Sequence, residues 1–115
     1  MDLAFSFDES GRLVCDLTDG HIVTTATAAN IPDATLDFIR AVDALRDNVL
    51  AECLWEEQGG TYRWLFCRRE DRVDVAVMWC AGVITGWQHV FRADCDLGVL
   101  ERARTAVQHL GVTAP

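Results

Sequence analysis

The side chains able to do chemistry are five cysteines (Cys15, Cys53, Cys67, Cys80 and Cys95), three histidines (His21, His89 and His109) and a few close carboxylates: Glu56-Glu57, Glu70-Asp71, and Asp94 with Asp96. A nucleophilic thiol needs a base beside it and a cation or helix N-terminus to lower its pKa. The three histidines belong to three different predicted elements, so a dyad with Cys15, Cys67 or Cys80 would have to assemble in space. His89, between Trp87 and Phe91, reads as a ring at the edge of a core, and His109 as a favourable group near a helix C-terminus. The cysteines are odd in number, widely spaced and without a CxxC pair, whereas a structural zinc site draws two ligands from one tight turn. They are expected to be small buried hydrophobes that form no disulfide, and neither a metal nor another cofactor is expected.

A carboxylate acting as general acid needs a cleft and a raised pKa. Glu70-Asp71 falls at a hairpin tip and Asp96 at a helix start, which accounts for both, while Glu56-Glu57 has less local reason to exist. Arg68, Arg69 and Arg72 cluster at one hairpin end, a place for an anion or, as such clusters more often are, the balance of Glu70, Asp71 and Asp74. The chain contains no P-loop, GxGxxG, HExxH or GxSxG signature.

The elements that position these groups follow from periodicity. Apolar residues at 3–7 and 12–17 flank the turn-rich Asp8-Glu9-Ser10-Gly11, and Thr18-Asp19-Gly20 leads into 21–27, which predicts two or three short strands. A helix follows Asn30 and runs to about Asn48, with Asn30 or Asp33 as N-cap and Pro32 in its first turn. Phe38, Ala41, Val42, Leu45 and Val49 form its apolar stripe. From Leu50 to Asp94 the period becomes two. A turn centred on Gly59-Gly60 would oppose Trp55 to Trp64, Cys53 to Phe66 and Glu57 to Tyr62. A turn at Glu70-Asp71 sets Phe66 against Val75, Trp64 against Val77 and Tyr62 against Trp79. A fourth strand places either Ile84, Gln88 and Val90 or, preferred for its aromatic content, Trp87, His89 and Phe91 on the same face. Asp96 then caps a last helix with the stripe Leu97, Leu100, Ala103, Val107 and Leu110, a Glu101–Arg104 pair and a stop at Gly111; residues 112–115 look loose. The fold class is therefore α+β, one domain over residues 1–115, with an N-terminal hairpin, a four-strand antiparallel meander, and helices before and after that meander.

The second face of the meander collects Leu54, Leu65, Ala76 and Met78, bordered by Glu52, Glu56, Arg63, Arg69 and Asp74. Either the N-terminal strands or the last helix cover it, or it is an apolar patch rimmed by charge, as partner surfaces are.

The 115 residues are half hydrophobic and carry 18 acids against 10 bases, a formal net charge of -8, and every base is arginine. No basic stripe exists for nucleic acid or an anionic membrane surface. The longest apolar stretch, from Val73 to Ile84, is interrupted by Asp74 and is far short of the roughly 20 residues of a membrane span. The opening Met1-Asp2-Leu3-Ala4-Phe5 lacks a charged n-region and an apolar h-region, so a cytoplasmic location is expected.

The segment from Asp33 to Val42 (DATLDFIRAV), the pair Trp55-Glu56-Glu57 and Tyr62-Arg63-Trp64, and Val90-Phe91-Arg92-Ala93 before the last helix resemble an uncharacterised group of small acidic bacterial proteins, over residues 12–110. Size, acidity and architecture are similar in type to bacterial immunity proteins that neutralise toxins. The resemblance carries no functional residue over; it is the acidity, with that similarity of type, that leads to the expectation of a non-enzymatic interaction module with a protein partner, a cationic toxin or effector. Glu52, Glu56, Glu57, Glu70, Asp71 and Asp74 are the expected contact acids, with Leu54 or Met78 as apolar anchors. A homo-oligomeric scaffold using the Leu54-Leu65-Met78 face, and a small enzyme or ligand binder, are the competing expectations.

Overall fold

The computed structural model describes residues 1–82 and 86–112. Three strands come first, β1 (Asp2–Phe7), β2 (Leu13–Thr18) and β3 (Val23–Ala28), forming an antiparallel sheet in sequence order. Helix α1 (Ile31–Ala44) leads to β4 (Leu50–Glu57), β5 (Gly60–Arg69), β6 (Arg72–Cys80) and β7 (Gln88–Asp96), a second antiparallel sheet that is a simple meander. Helix α2 (Leu97–Val112) closes the chain. The α+β architecture is the one its sequence predicts, with three N-terminal strands instead of a hairpin alone.

Helix α1 starts where Asn30 accepts a hydrogen bond from the Asp33 amide at 3.2 Å, with proline in the first turn. It ends four residues earlier than its periodicity predicts. Leu45 is the C-cap and fully buried, but Val49 is 62% exposed and leaves the stripe. The Arg68 guanidinium takes up the end of the helix, donating from Nη1 to the Leu45 carbonyl at 2.7 Å. Phe38 is the hub of the core: its ring lies 5.2 Å from Phe5 of β1, 5.5 Å from Trp64 and 6.3 Å from Phe66 of β5. Leu100, Ala103 and Val107 of α2 join the same cluster, with Leu97 and Leu110 partly buried against it.

Two expected polar roles at α2 are reassigned. Arg104 reaches across to α1, with Nε 2.6 Å from Asp43 Oδ1 and Nη2 3.1 Å from Oδ2, in place of a pair with Glu101. Asp96 accepts from Arg72 Nη1 at 3.0 Å instead of capping the helix, and the first helical amide, Leu97 N, donates to the Asp71 carbonyl at 2.8 Å. A bidentate carboxylate–guanidinium fork outweighs an i,i+3 surface pair, which is why the longer-range partner wins. The helix also continues through Gly111 to Val112; residues 113–115 fall outside those described.

The register of the meander is correct at β5–β6, where Phe66, Trp64 and Tyr62 oppose Val75, Val77 and Trp79. At β4–β5 it differs by two residues: Trp55 opposes Tyr62, Cys53 opposes Trp64 and Glu57 opposes Gly60. The two-residue loop is Gln58-Gly59, and only Gly59 has a positive φ, of 88°. Gly60 lies in the strand at a place that only glycine fits, since a Cβ there would overlap the Cys80 carbonyl oxygen and stand 2.6 Å from the Trp79 ring. A two-residue shift preserves the face, so Trp55 and Trp64 remain diagonal neighbours with ring centroids 4.8 Å apart, both fully buried.

The fourth strand matches neither expected pattern along its whole length. Phe91 opposes Val77 on the core face, but His89 opposes Met78, so one residue, Val90, is extra in β7. This bulge turns His89 to the other face, where it is exposed rather than at a core edge. Trp87, 42% exposed, stands near Arg63 of that other face, and Ile84 lies outside the described residues.

Candidate functional site

Alternation along β4–β7 sorts the meander into two faces. One carries Trp55, Trp64, Phe66, Val75, Val77 and Phe91 against α1 and α2. The other carries Leu50, Glu52, Leu54 and Glu56 of β4, Arg63, Leu65 and Cys67 of β5, Asp74, Ala76 and Met78 of β6, and Arg92 and Asp94 of β7. The cover expected from the N-terminal strands or the last helix does not lie over this second face, because both belong to the core cluster on the first. Leu50 and Leu54 are 70% and 40% exposed. A shallow groove of about 740 Å³ runs over Leu50, Leu65, Cys67 and Ala76, with Glu52, Arg63, Asp74 and Arg92 at its sides.

The charges on this face are largely matched. Glu52 Oε2 accepts from Arg63 Nε and Nη2 at 2.9 and 2.8 Å. Asp74 takes Arg69, 3.0 and 2.9 Å away, and Arg72 bridges Asp94 and Asp96. The Arg72 bonds hold the Asp94 carboxyl below the usual carboxylate range. Five acids (Glu52, Glu56, Asp74, Asp94 and Asp96) thus meet four arginines (Arg63, Arg69, Arg72 and Arg92) on the face. Arg92 has no hydrogen-bond or ion-pair partner among the described residues.

Of the expected contact residues, the structure gathers Glu52, Leu54, Glu56 and Asp74 on the open face and puts Glu70 and Asp71 at its β5–β6 end, both exposed. Met78 is on the face but only 7% exposed, between Arg63 and His89 in register, and offers a partner little surface. Glu57 points the other way. Its side chain is 8% exposed, accepts from the Thr27 hydroxyl of β3 and from the Gln58 amide at 2.7 Å, and lies 3.7 Å from Arg12 Nε. It is a clamp between the two sheets, close to the Ala29 N to Glu56 O bond of 3.0 Å that ties β3 to the rim of β4. Its charge, with burial first, pushes the Tyr62 phenol up.

The thiols are all in strands. Cys15, Cys53 and Cys95 are buried, and burial raises all three, Cys95 to about 11 and the other two further. Burial acts against a thiolate nucleophile at those positions. Cys67 and Cys80 are half-buried. His21 and His109 are exposed, like His89. Among the described residues no three His, Cys, Asp or Glu side chains gather as a metal cage, and no helix is long and apolar enough to cross a membrane.

What sequence reasoning missed at the site is Arg92, whose outward position follows from the alternation of β7 once Phe91 is placed inward. Compared with protein-family models, with curated proteins and with solved structures, the chain finds no match.

Proposed function

We propose that this chain is a non-enzymatic protein-interaction module whose contact surface is the open face of the meander, with the acidic β5–β6 end as its approach for a cationic protein. The observation that carries this reading is the uncovered strip of Leu50, Leu54, Leu65 and Ala76 set among charged side chains. A mosaic of apolar ground and ordered charge is the composition of partner surfaces.

An immunity-type role, covering a cationic toxin or effector in the cytoplasm, is supported by the net charge of -8 and by the state of the individual acids. Glu52, Glu57 and Asp74 are held by arginines, whereas the Glu70 and Asp71 carboxylates stand exposed at the turn. Glu70 adopts φ +56°, a conformation that glycine or asparagine takes at lower cost, and so carries its charge outward against its backbone preference. The arginines beside the turn are engaged elsewhere: Arg68 with the Glu70 carbonyl at 2.6 Å and the end of α1, Arg69 with Asp74, and Arg72 with Asp94 and Asp96.

The test is binding kinetics with the product of the adjacent gene as probe. Replacing Glu70 and Asp71 together by Gln is expected to slow association about tenfold at low salt, and the difference should vanish as the screening length shrinks from about 10 Å at 0.1 M to about 3 Å at 1 M. Absence of binding, or an association rate indifferent to both salt and substitution, contradicts the reading of a cationic partner.

A further inference from the structure

Across the open face, one row of the register reads Glu52 on β4, Leu65 on β5, Ala76 on β6 and Arg92 on β7. Opposite charges occupy the two edges, with apolar residues between them. We propose that the occupant of this face is a second copy of the chain, packed face to face about a twofold axis that runs along the strands between β5 and β6. The proposal rests on the open face being the interaction surface and names its partner.

Such an axis exchanges the two edges of the sheet while leaving positions along the strands unchanged. Glu52 then stands over the partner's Arg92, Arg92 over the partner's Glu52, and Leu65 over the partner's Ala76. Sheets pack about 10 Å apart, a gap that one Glu and one Arg side chain span together. Each contact occurs twice, as an isologous interface requires. The pairing also gives Arg92 the carboxylate it lacks among the described residues of its own chain. Local charge favours this occupant over a cationic one, because the five acids and four arginines of the face are close to neutral while the whole chain carries -8. At about 4.8 Å per strand and about 3.3 Å per residue, four strands offer about 500 Å² per copy, or about 1,000 Å² for the pair, the lower bound of specific interfaces. The same axis sets both β5–β6 turns at one end of the dimer, so Glu70 and Asp71 of the two copies form a single acidic end for a cationic protein.

The experiment is a charge exchange read by sedimentation velocity. Wild type alone is expected to sediment as a concentration-dependent dimer. Arg92→Glu alone, and Glu52→Arg alone, place like charges against each other twice and are expected to weaken the dimer about tenfold or more, while an equimolar mixture of the two variants restores it, since both contacts between positions 52 and 92 are then again acid to base. Thermal melts of the isolated variants establish that each is folded. A wild type that stays monomeric, or a dimer indifferent to Arg92→Glu, overturns the proposal. A monomer that nevertheless binds the adjacent gene product through Leu54 and Leu65 would overturn the dimer and leave the open face standing as the interaction surface; a dimer whose mixture fails to recover overturns the stated axis.

Discussion

Glu56 and Glu57 are adjacent and chemically identical, yet the pleat of β4 sends one to solvent and the other between two sheets. Glu57→Ala removes the acceptor of Thr27 and the counter-charge of Arg12 and is expected to cost about 1–3 kcal/mol in denaturant unfolding, while Glu56→Ala stays within about 0.5 kcal/mol. Trp64 is fully buried against Phe38 and Trp55, so Trp64→Ala should cost about 3–5 kcal/mol in the same measurement. Asp43 contributes to the pH dependence. The two hydrogen bonds from Arg104 hold its carboxyl below the ordinary value of 3.8, so the ionised form is the one the fold favours. Its contribution is complete above the unfolded pKa and is lost as pH falls through the lower folded value. The melting temperature of the wild type should therefore fall more steeply than that of Asp43→Asn below about pH 4. Parity alone separates Glu57 from Glu56 in the sequence, but Thr27 and Arg12 come from 30 and more residues away, and nothing local announces them.

At the scale of elements, the apolar periodicity fixes which residues share a face and leaves the turn to choose the register. Gly59 and Gly60 both tolerate unusual backbone angles, so a loop of Gly59-Gly60 and one of Gln58-Gly59 put the same aromatics inward. In the observed one the space at Gly60 is closed by the Cys80 carbonyl and the Trp79 ring, so that position admits glycine alone. Gly60→Ala is accordingly expected to pry β5 from β6 and lower the melting temperature by more than Gly59→Ala, whose cost is the left-handed backbone alone, about 1 kcal/mol. The bulge at Val90 was not legible, because Trp87, His89 and Phe91 alternate as a regular strand does. A pattern of period two carries no mark of where one residue is skipped. The helices were legible in their apolar stripes, and α1 fell short at Leu45, whose carbonyl is taken by Arg68 from a strand. Its start is set by Asn30, and Asn30→Ala should cost about 1 kcal/mol.

In the whole molecule, both helices and the N-terminal sheet crowd onto one face of the meander and leave the other to whatever the protein meets. Acidity could be read from composition, and the shared face of Glu52, Arg63, Arg69 and Asp74 from their parity, but not which arginine neutralises which acid, since Arg63–Glu52 and Arg69–Asp74 pair diagonally across neighbouring strands. The most direct measurement of the open face as the interaction surface is hydroxyl-radical footprinting of the wild-type chain, dilute and then associated, with itself or with the adjacent gene product. Leu50, Leu54 and Leu65 should lose reactivity on association, while Ile22, Val23 and Leu36, exposed on other surfaces, keep theirs. Protection of Ile22, Val23 or Leu36 with Leu50, Leu54 and Leu65 unchanged would contradict the account.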